Sequence, residues 1–215
     1  MSVAETYPVA SPAYAPRRVS SADRGGAARI SRLIQRIYAE RGGVRVVDLG
    51  GSAEAWDLID PEVLVACRVH VTLIGARAGE GDLSLFSSVA GGVEGSVAFE
   101  DNAFDLVCSD GAIERRGEWS LVERFAREIR RLAPRYHVRA PYQWAPVLPG
   151  RAPFSHWLPE GARARAAGGD LGSAMRRVQG VRPLDRAQMR WLFPDAELLT
   201  NRAFGLPVEI VAVRG

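Results

Sequence analysis

The chain has 215 residues, of which 47% are hydrophobic and 25% are charged, so it suits one globular domain and not a disordered or fibrous protein. No apolar run approaches the roughly 20 residues that a membrane-spanning helix needs. The 28 basic residues are all arginine and are interspersed with 25 acidic residues, which argues against a basic stripe and a nucleic-acid partner.

The N-terminal residues and the two cysteines bear on organisation and compartment. Residues 1–26 are rich in Ala, Ser and Pro and lack the order of a signal peptide, so they predict a flexible tail. Residues 27–215 predict a single domain. Cys67 and Cys108 lie in apolar stretches and are interpreted as buried thiols of a cytoplasmic protein, because two such residues form neither a disulfide framework nor a metal set.

The first half of the domain predicts alternating helices and strands. An amphipathic helix should begin near residue 27 and end at Gly42, because apolar residues recur there at helical spacing. A short β-branched run at 44–49 predicts a strand buried on both faces. A helix should follow with Ser52 as its N-cap, and a second strand at 67–75. The glycine-rich residues 76–99 leave a short helix near 83–89 or a poor strand as alternatives.

The second half continues this alternation until residue 141. A strand at 103–110, a long amphipathic helix at 117–133 and a strand at 135–141 are predicted from their periodicity. Residues 142–181 carry prolines and aromatics without a period, which predicts a long excursion that caps a pocket. A helix from Asp185 and two closing strands follow, and the strands could pair as an antiparallel hairpin. The pattern predicts an α/β, Rossmann-like, doubly wound sheet with helices on both faces.

A glycine turn follows the first predicted strand, at Asp48-Leu49-Gly50-Gly51. In parallel sheets, ligands bind beyond the carboxyl ends of the strands, where glycine lets a ligand approach the backbone and free N–H groups hold anions. The fingerprint G-x-G-x-x-G is absent, so a tight turn without a ligand is an equally good interpretation of this stretch alone.

Several later segments, in their order along the chain, resemble class I S-adenosylmethionine-dependent methyltransferases, in particular a bacterial small-molecule-type subgroup. They are FEDNAFDLVCSD at 99–110, the Trp-bearing helix at 117–133 and FSHWLP at 154–159. Together with VVDLGGSAEAW and the closing LFPDAELL and VEIVAVR, the resemblance spans residues 28–215. It implies a seven-stranded, mostly parallel sheet with an antiparallel last strand, S-adenosylmethionine as cofactor, and methyl transfer to a small-molecule substrate.

The resemblance also implies which residues contact the cofactor. Asp48 matches the acidic residue that helps to hold its methionine end, and Gly50 and Gly51 match the turn on which it packs. Ser109 and Asp110 match the end of the fourth strand, where methyl donor and acceptor meet. The remaining positions of the predicted cofactor site are Gly75, where the second strand ends, and Glu94, near the adenine. No metal site is predicted.

The sequence departs from this family at three of its motifs. The segment GGVEGSVAF at 91–99 is shortened, and only Glu94 lies close to the place of the acidic residue that the family often has near the adenine. Gly75 stands where a carboxylate usually accepts hydrogen bonds from the ribose, although Glu80 or Asp82 could reach back to it. Arg115 replaces the histidine of a Glu-His pair. These departures favour an alternative function, a catalytically inactive methyltransferase-like partner or scaffold. A nicotinamide-dependent oxidoreductase is a weaker alternative, because the third glycine and the ribose carboxylate are both missing.

Methyl transfer needs a general base only when the acceptor must lose a proton. His156 and Asp110 are the candidate catalytic residues, although His156 could instead pack beside Trp157. His137 lies inside a predicted strand and is interpreted as a core residue, and His70 as a strand-edge residue.

The excursion contains further candidates for acceptor binding. Tyr142, Trp144, Phe154 and Trp157 could line a site for a ring-bearing acceptor, or anchor a long loop by burying large faces. The arginine-rich stretch at 162–177 predicts a solvated surface, with binding of an anionic acceptor as the alternative.

Overall fold

The computed structural model describes residues 20–75, 85–89, 97–148, 153–203 and 205–215, without the side chains of residues 21 and 22. The described strands form one seven-stranded sheet in the order β3-β2-β1-β4-β5-β7-β6. β7 runs antiparallel to both of its neighbours, β5 and β6, and the other pairs are parallel. The strands are β1 Val44–Leu49, β2 Val69–Ile74, β3 Phe86–Val89, β4 Leu106–Asp110, β5 Tyr136–Pro141, β6 Glu197–Ala203 and β7 Leu206–Arg214.

Helices cover both faces of this sheet, as predicted. On one face, α1 and α2 pack in a core cluster with β1 and β2, and on the other face α3 and α6 pack with β4, β5 and β7. Side chains of a strand alternate between the two clusters because its period is two. The α-helices are α1 Ser21–Arg41, α2 Pro61–Ala66, α3 Trp119–Leu132, α4 Glu160–Ala167, α5 Leu171–Gln179 and α6 Arg186–Leu192.

The central strands are short and buried because both of their faces meet helices. The residues of β1 are buried except Arg45, and β4 is buried except for Asp110 at its carboxyl end. Val46 pairs with Leu106 and with Val71, which places β1 between β4 and β2. The carboxyl ends of β1, β2, β4 and β5 therefore lie along the same edge of the sheet, called the carboxyl edge below.

Two helix predictions need correction. Helix α1 begins at Ser21, six residues before the predicted start, because Ser20 and Asp23 form a capping box that the composition of the tail concealed. The residues after Ser52 form a 3₁₀ helix, Ala53–Leu58, and Ser52 makes no side-chain capping bond. A separate helix, α2, starts at Pro61, where proline is suited to the first turn.

The remaining differences concern weakly patterned segments. Residues 86–89 form a strand and not a short helix. The excursion at 142–181 contains a pair of helices, α4 and α5, which share a small cluster of Ala164, Ala174 and Val178. The predicted antiparallel hairpin of the two closing strands is confirmed. Within the described residues, no helix is both long and apolar enough to cross a membrane.

Candidate functional site

The strand order reverses between β1 and β4, because the chain winds outward from β1 through β2 to β3 and then returns to β4 and β5. Open α/β sheets bind ligands at such a point, beyond the carboxyl ends of the strands. Here the Ser109 hydroxyl donates to the Leu49 carbonyl over 3.1 Å, which joins the two strand ends. The space beyond them is called the switch crevice below.

The glycine turn at the end of β1 is packed so closely that neither glycine tolerates a side chain. Gly50 has a φ of +80°, and a Cβ there would lie 2.7 Å from the Cβ of Ala112, which follows β4. A Cβ on Gly51 would overlap the carboxylate of Asp48. The Gly50 amide donates to the Ile74 carbonyl over 2.8 Å. The turn is thus held against β2 and against the segment after β4.

Asp48 lies beneath this turn and is only 4% exposed. The indole nitrogen of Trp56, in the 3₁₀ helix, donates to Oδ2 over 2.9 Å, whereas Oδ1 has no hydrogen-bond partner among the described residues. Burial raises the pKa of Asp48 to about 7, although the hydrogen bonds from Trp56 and the Gly51 amide oppose that shift. Sequence reasoning selected Asp48 but missed Trp56, whose role depends on the 3₁₀ helix folding back over β1.

A second buried carboxyl group, that of Glu114, follows β4 in the 3₁₀ helix Ile113–Arg116 and is 3% exposed. Its Oε2 atom has no hydrogen-bond partner among the described residues, and its Oε1 atom lies 3.7 Å from Nε of Arg115. Burial raises the pKa of Glu114 to about 7. Sequence reasoning noted Glu114 only as half of a motif and did not include it among the site residues.

Asp110, at the end of β4, is held by an arginine that sequence reasoning missed. Nε of Arg139, on β5, donates to Oδ1 of Asp110 over 2.6 Å, and Nη2 donates to Oδ2. This fork engages both oxygens of the carboxylate. The signal available in the sequence was an arginine within the apolar strand YHVRAP, because a charge there requires a buried partner.

Arg139 also joins Asp110 to the helical and antiparallel parts of the fold. Its Nη1 atom lies 2.6 Å from Oδ1 of Asp23, on α1, and 3.3 Å from Oε2 of Glu209, on β7. Burial disfavours the guanidinium cation, but the surrounding carboxylates raise the pKa of Arg139. Burial would also raise the pKa of Asp23, yet its hydrogen bonds from Ser20 and Arg139 lower it to about 2. These four residues, Asp23, Asp110, Arg139 and Glu209, are called the arginine cluster below.

The histidines occupy three different environments. His156 is buried, and its Nε2 atom lies 3.1 Å from the carbonyl oxygen of Gln143. His137 is buried on β5, as predicted, and burial lowers its pKa to about 4. His70 is exposed on β2, where its Nε2 atom lies 3.1 Å from Ser87 Oγ.

The aromatic residues of the excursion divide into two groups. Tyr142 packs against the core. Trp144, Phe154 and Trp157 remain 57%, 52% and 45% exposed, with ring centroids 6.3 Å apart for the two indoles and 5.0 Å apart for Phe154 and Trp157. The Trp157 indole donates to the Gln143 carbonyl over 2.9 Å, so this group is tied to the segment that directly follows β5.

The end of β2 offers no side chain to a ligand. Gly75 is exposed there with a φ of +74°. Glu80, Asp82 and Glu94, the other carboxylates considered for the ribose and adenine, lie outside the described residues. Within the described part of the chain, no group of three or more His, Cys, Asp or Glu side chains is arranged to hold a metal ion.

Comparisons with known proteins agree on the fold. No protein-family model and no curated protein matches the sequence. The 1,6-didemethyltoxoflavin-N1-methyltransferase of Burkholderia thailandensis, solved with 1,6-didemethyltoxoflavin and S-adenosylhomocysteine, matches 90% of this chain and 80% of its own, with a TM-score of 0.52 and 15% identity. A possible exported protein from Bordetella parapertussis matches 87% of this chain and 67% of its own, with a TM-score of 0.52 and 15% identity. The chain therefore has the class I methyltransferase fold, as the sequence resemblance implied.

Proposed function

We propose that this protein transfers a methyl group from S-adenosylmethionine to a small, ring-bearing acceptor. The observation that carries this proposal is the switch crevice, where a glycine turn covers a buried carboxyl group with an unused acceptor atom. A methyltransferase of the same fold has been solved with S-adenosylhomocysteine bound. Fold alone does not define activity, and the residues of the site are the support for this proposal.

The residues at the carboxyl end of β1 fit the amino-acid end of S-adenosylmethionine. Oδ1 of Asp48 is buried without a partner among the described residues, and it can accept a hydrogen bond from an ammonium group. Gly50 and Gly51 keep the turn free of side chains, which allows close approach of a ligand to the backbone. We assign Asp48, Gly50 and Gly51 to the cofactor, with Ser109 supporting the turn through its bond to Leu49.

The carboxyl end of β2, which we assign to the ribose of the cofactor, is followed by Gly75 and not by an acidic residue. Gly75 cannot accept hydrogen bonds through a side chain, and a hydrogen bond to a charged group contributes about 1.5–3 kcal/mol. Its loss corresponds to roughly tenfold to a hundredfold weaker binding, which lowers affinity without abolishing it. We retain Glu94 as the candidate for the adenine side.

S-adenosylmethionine, when bound, supplies an activated methyl group, so the protein's contribution is to place the acceptor. Both oxygens of Asp110 accept hydrogen bonds from Arg139. We therefore propose that Asp110 helps to form the binding site of the methyl acceptor and does not remove a proton from it. His156 contacts the Gln143 carbonyl, a geometry that supports a role in anchoring the excursion.

The exposed aromatic residues Trp144, Phe154 and Trp157 form the proposed acceptor surface. If these rings anchored the loop by burying their faces, they would be buried, whereas about half of each side chain is exposed. The anchoring is done instead by polar contacts to the Gln143 carbonyl. Exposed ring faces beside the carboxyl edge suit stacking with a planar acceptor.

Calorimetric titration with S-adenosylmethionine and with S-adenosylhomocysteine tests the cofactor assignment. We expect saturable one-to-one binding to the wild type and a thermal shift on binding. In Asp48→Ala the affinity should fall at least tenfold, because the buried acceptor atom is lost, and the thermal shift should be smaller. Glu62→Ala, which removes an exposed carboxylate from α2, is the control. No heat and no thermal shift at millimolar ligand would contradict the proposal and favour the scaffold alternative.

Fluorescence titration with 2-naphthol and with its saturated analogue decahydro-2-naphthol tests the acceptor surface. We expect 2-naphthol to bind more tightly, and Trp157→Ala to weaken it roughly tenfold, since an aromatic pair contributes about 0.5–1.5 kcal/mol beyond the area it buries. Trp191→Ala is the matched control, because Trp191 is 71% exposed on α6. Equal affinities for the two probes, or equal losses in the two variants, would contradict the assignment.

A further inference from the structure

Glu114 is a buried carboxyl group with one oxygen that no described residue engages in a hydrogen bond. The Oε2 atom is shielded from solvent and has no hydrogen-bond partner among the described residues. Leaving a buried acceptor unsatisfied costs about 1–3 kcal/mol, and such groups call for an explanation in a bound ligand, a water molecule or a functional role.

Arginine side chains lie near Glu114 but leave its Oε2 atom without a hydrogen bond from the described residues. Oε1 forms an ion pair with Nε of Arg115 at 3.7 Å, which is beyond hydrogen-bond distance. The charges of Arg115 and Arg116 lower the pKa of Glu114, against the larger effect of burial. Arg116 donates to the Ala112 carbonyl and lies over the ring of Phe125. The backbone amide of Arg182 donates to the carbonyl oxygen of Glu114 and not to its side chain.

Glu114 belongs to the same crevice as Asp48. Ala112, two residues before Glu114, is the residue against which the glycine turn packs. The charge of Asp110 acts on the carboxyl groups of both Asp48 and Glu114 and favours their protonated forms. Glu114 therefore lies among the residues that follow β4 and Asp48 lies at the end of β1, and each carboxyl group has one oxygen without a hydrogen-bond partner among the described residues.

We propose that Glu114 is a binding residue for the cationic part of the ligand in the switch crevice, and that its carboxyl group releases its proton to solvent when that ligand binds. An arriving positive charge favours the carboxylate over the acid, so binding and proton release are linked. This inference rests on the proposed function, because S-adenosylmethionine carries both an ammonium and a sulfonium group.

Calorimetric titration with S-adenosylmethionine at about pH 6.5 measures the number of protons released on binding. The titration is repeated in phosphate and in imidazole, two buffers that differ in ionisation enthalpy, because the difference in observed heat is proportional to the number of protons that the buffer takes up. Because burial raises the pKa of Glu114 to about 7, about three quarters of it is protonated at that pH. We expect Glu114→Gln to release roughly half a proton fewer than the wild type, and to bind more weakly. Glu100→Gln, which alters an exposed carboxylate, should match the wild type.

A second measurement does not depend on a variant. Carbon NMR of the wild-type carboxyl groups should show the pKa of Glu114 falling when S-adenosylmethionine is added. Binding with the same proton release in Glu114→Gln as in the wild type, or with an unchanged pKa of Glu114, would overturn this proposal and leave the methyl-transfer proposal standing. Absence of binding to the wild type would contradict both.

Discussion

Buried carboxyl side chains in two places at the carboxyl edge of the sheet have pKa values that are shifted in opposite directions. In the switch crevice, Asp48 and Glu114 each have one oxygen without a hydrogen-bond partner among the described residues, and burial raises the pKa of each to about 7. In the arginine cluster, Arg139 contacts three carboxylates, and the pKa of Asp23 is lowered to about 2 although burial alone would raise it. The comparison shows that the nearest partner, and not burial alone, determines the charge of a buried acid.

The arginine cluster should depend strongly on the guanidinium of Arg139. Arg139→Gln removes the cation that contacts the buried carboxylates of Asp23 and Glu209, and breaking buried ion pairs in this way costs about 3–5 kcal/mol. We expect urea denaturation at neutral pH to show a loss of that size. Arg124→Gln, at an exposed position of α3, should change stability by less than about 0.5 kcal/mol. A similar small loss in Arg139→Gln would mean that the cluster does not hold α1 to the sheet.

The turn above Asp48 should be the most sterically sensitive part of the switch crevice. In Gly51→Ala the new methyl group overlaps the Asp48 carboxylate, and overpacking of this kind costs about 1–3 kcal/mol. We expect a lower thermal midpoint and weaker cofactor binding. Gly161→Ala, in α4, meets no atom within 4 Å, and alanine there should stabilise the helix by up to about 0.5–1 kcal/mol. If both variants behaved alike, the close packing of the turn would be disproved.

The raised pKa values of Asp48 and Glu114 should make stability fall as the pH rises. Burial raises the pKa of Asp48 from 3.8, the ordinary value of an exposed aspartate, to about 7 in the folded protein, so its contribution to stability is present at low pH and is lost as the pH rises from about 4 to about 7. Asp48→Asn removes this dependence. Unfolding free energies of the two proteins should therefore diverge, with the variant gaining about 1.4 kcal/mol on the wild type for each pH unit.

A control for this pH series comes from His137, whose dependence has the opposite sign. Burial lowers its pKa from 6.5 to about 4, so its contribution is lost as the pH falls through that range. The contribution of His137 is the same in the wild type and in Asp48→Asn, so it cancels when the unfolding free energies of the two proteins are subtracted. Parallel curves for the wild type and Asp48→Asn would show that Asp48 is not protonated in the folded protein near neutral pH.

The fold was predictable because its signals are local. Apolar β-branched runs predicted the central strands, and helical spacing predicted α3, whose buried residues include Phe125, Ile129 and Leu132. The errors fall where the local signal is weak or ambiguous. The start of α1 depends on a capping box, the residues after Ser52 form a 3₁₀ helix, and α4 is a short helix with little amphipathic pattern.

The candidate site was predictable only in part. The positions of its residues at strand ends could be predicted, whereas their contacts and protonation could not, and this difference has a physical cause. The sequence by itself determined that Asp48, Gly50, Ser109 and Asp110 stand at strand ends, and parallel strands bring such ends to one edge. Only the tertiary structure decided their partners. Asp23 and Arg139 are 116 positions apart in the chain, and the unused oxygens of Asp48 and Glu114 arise from the way the turn, the 3₁₀ helices and the segment after β4 close over each other. Protonation follows from those contacts and from exclusion of water, which no local pattern of residues records.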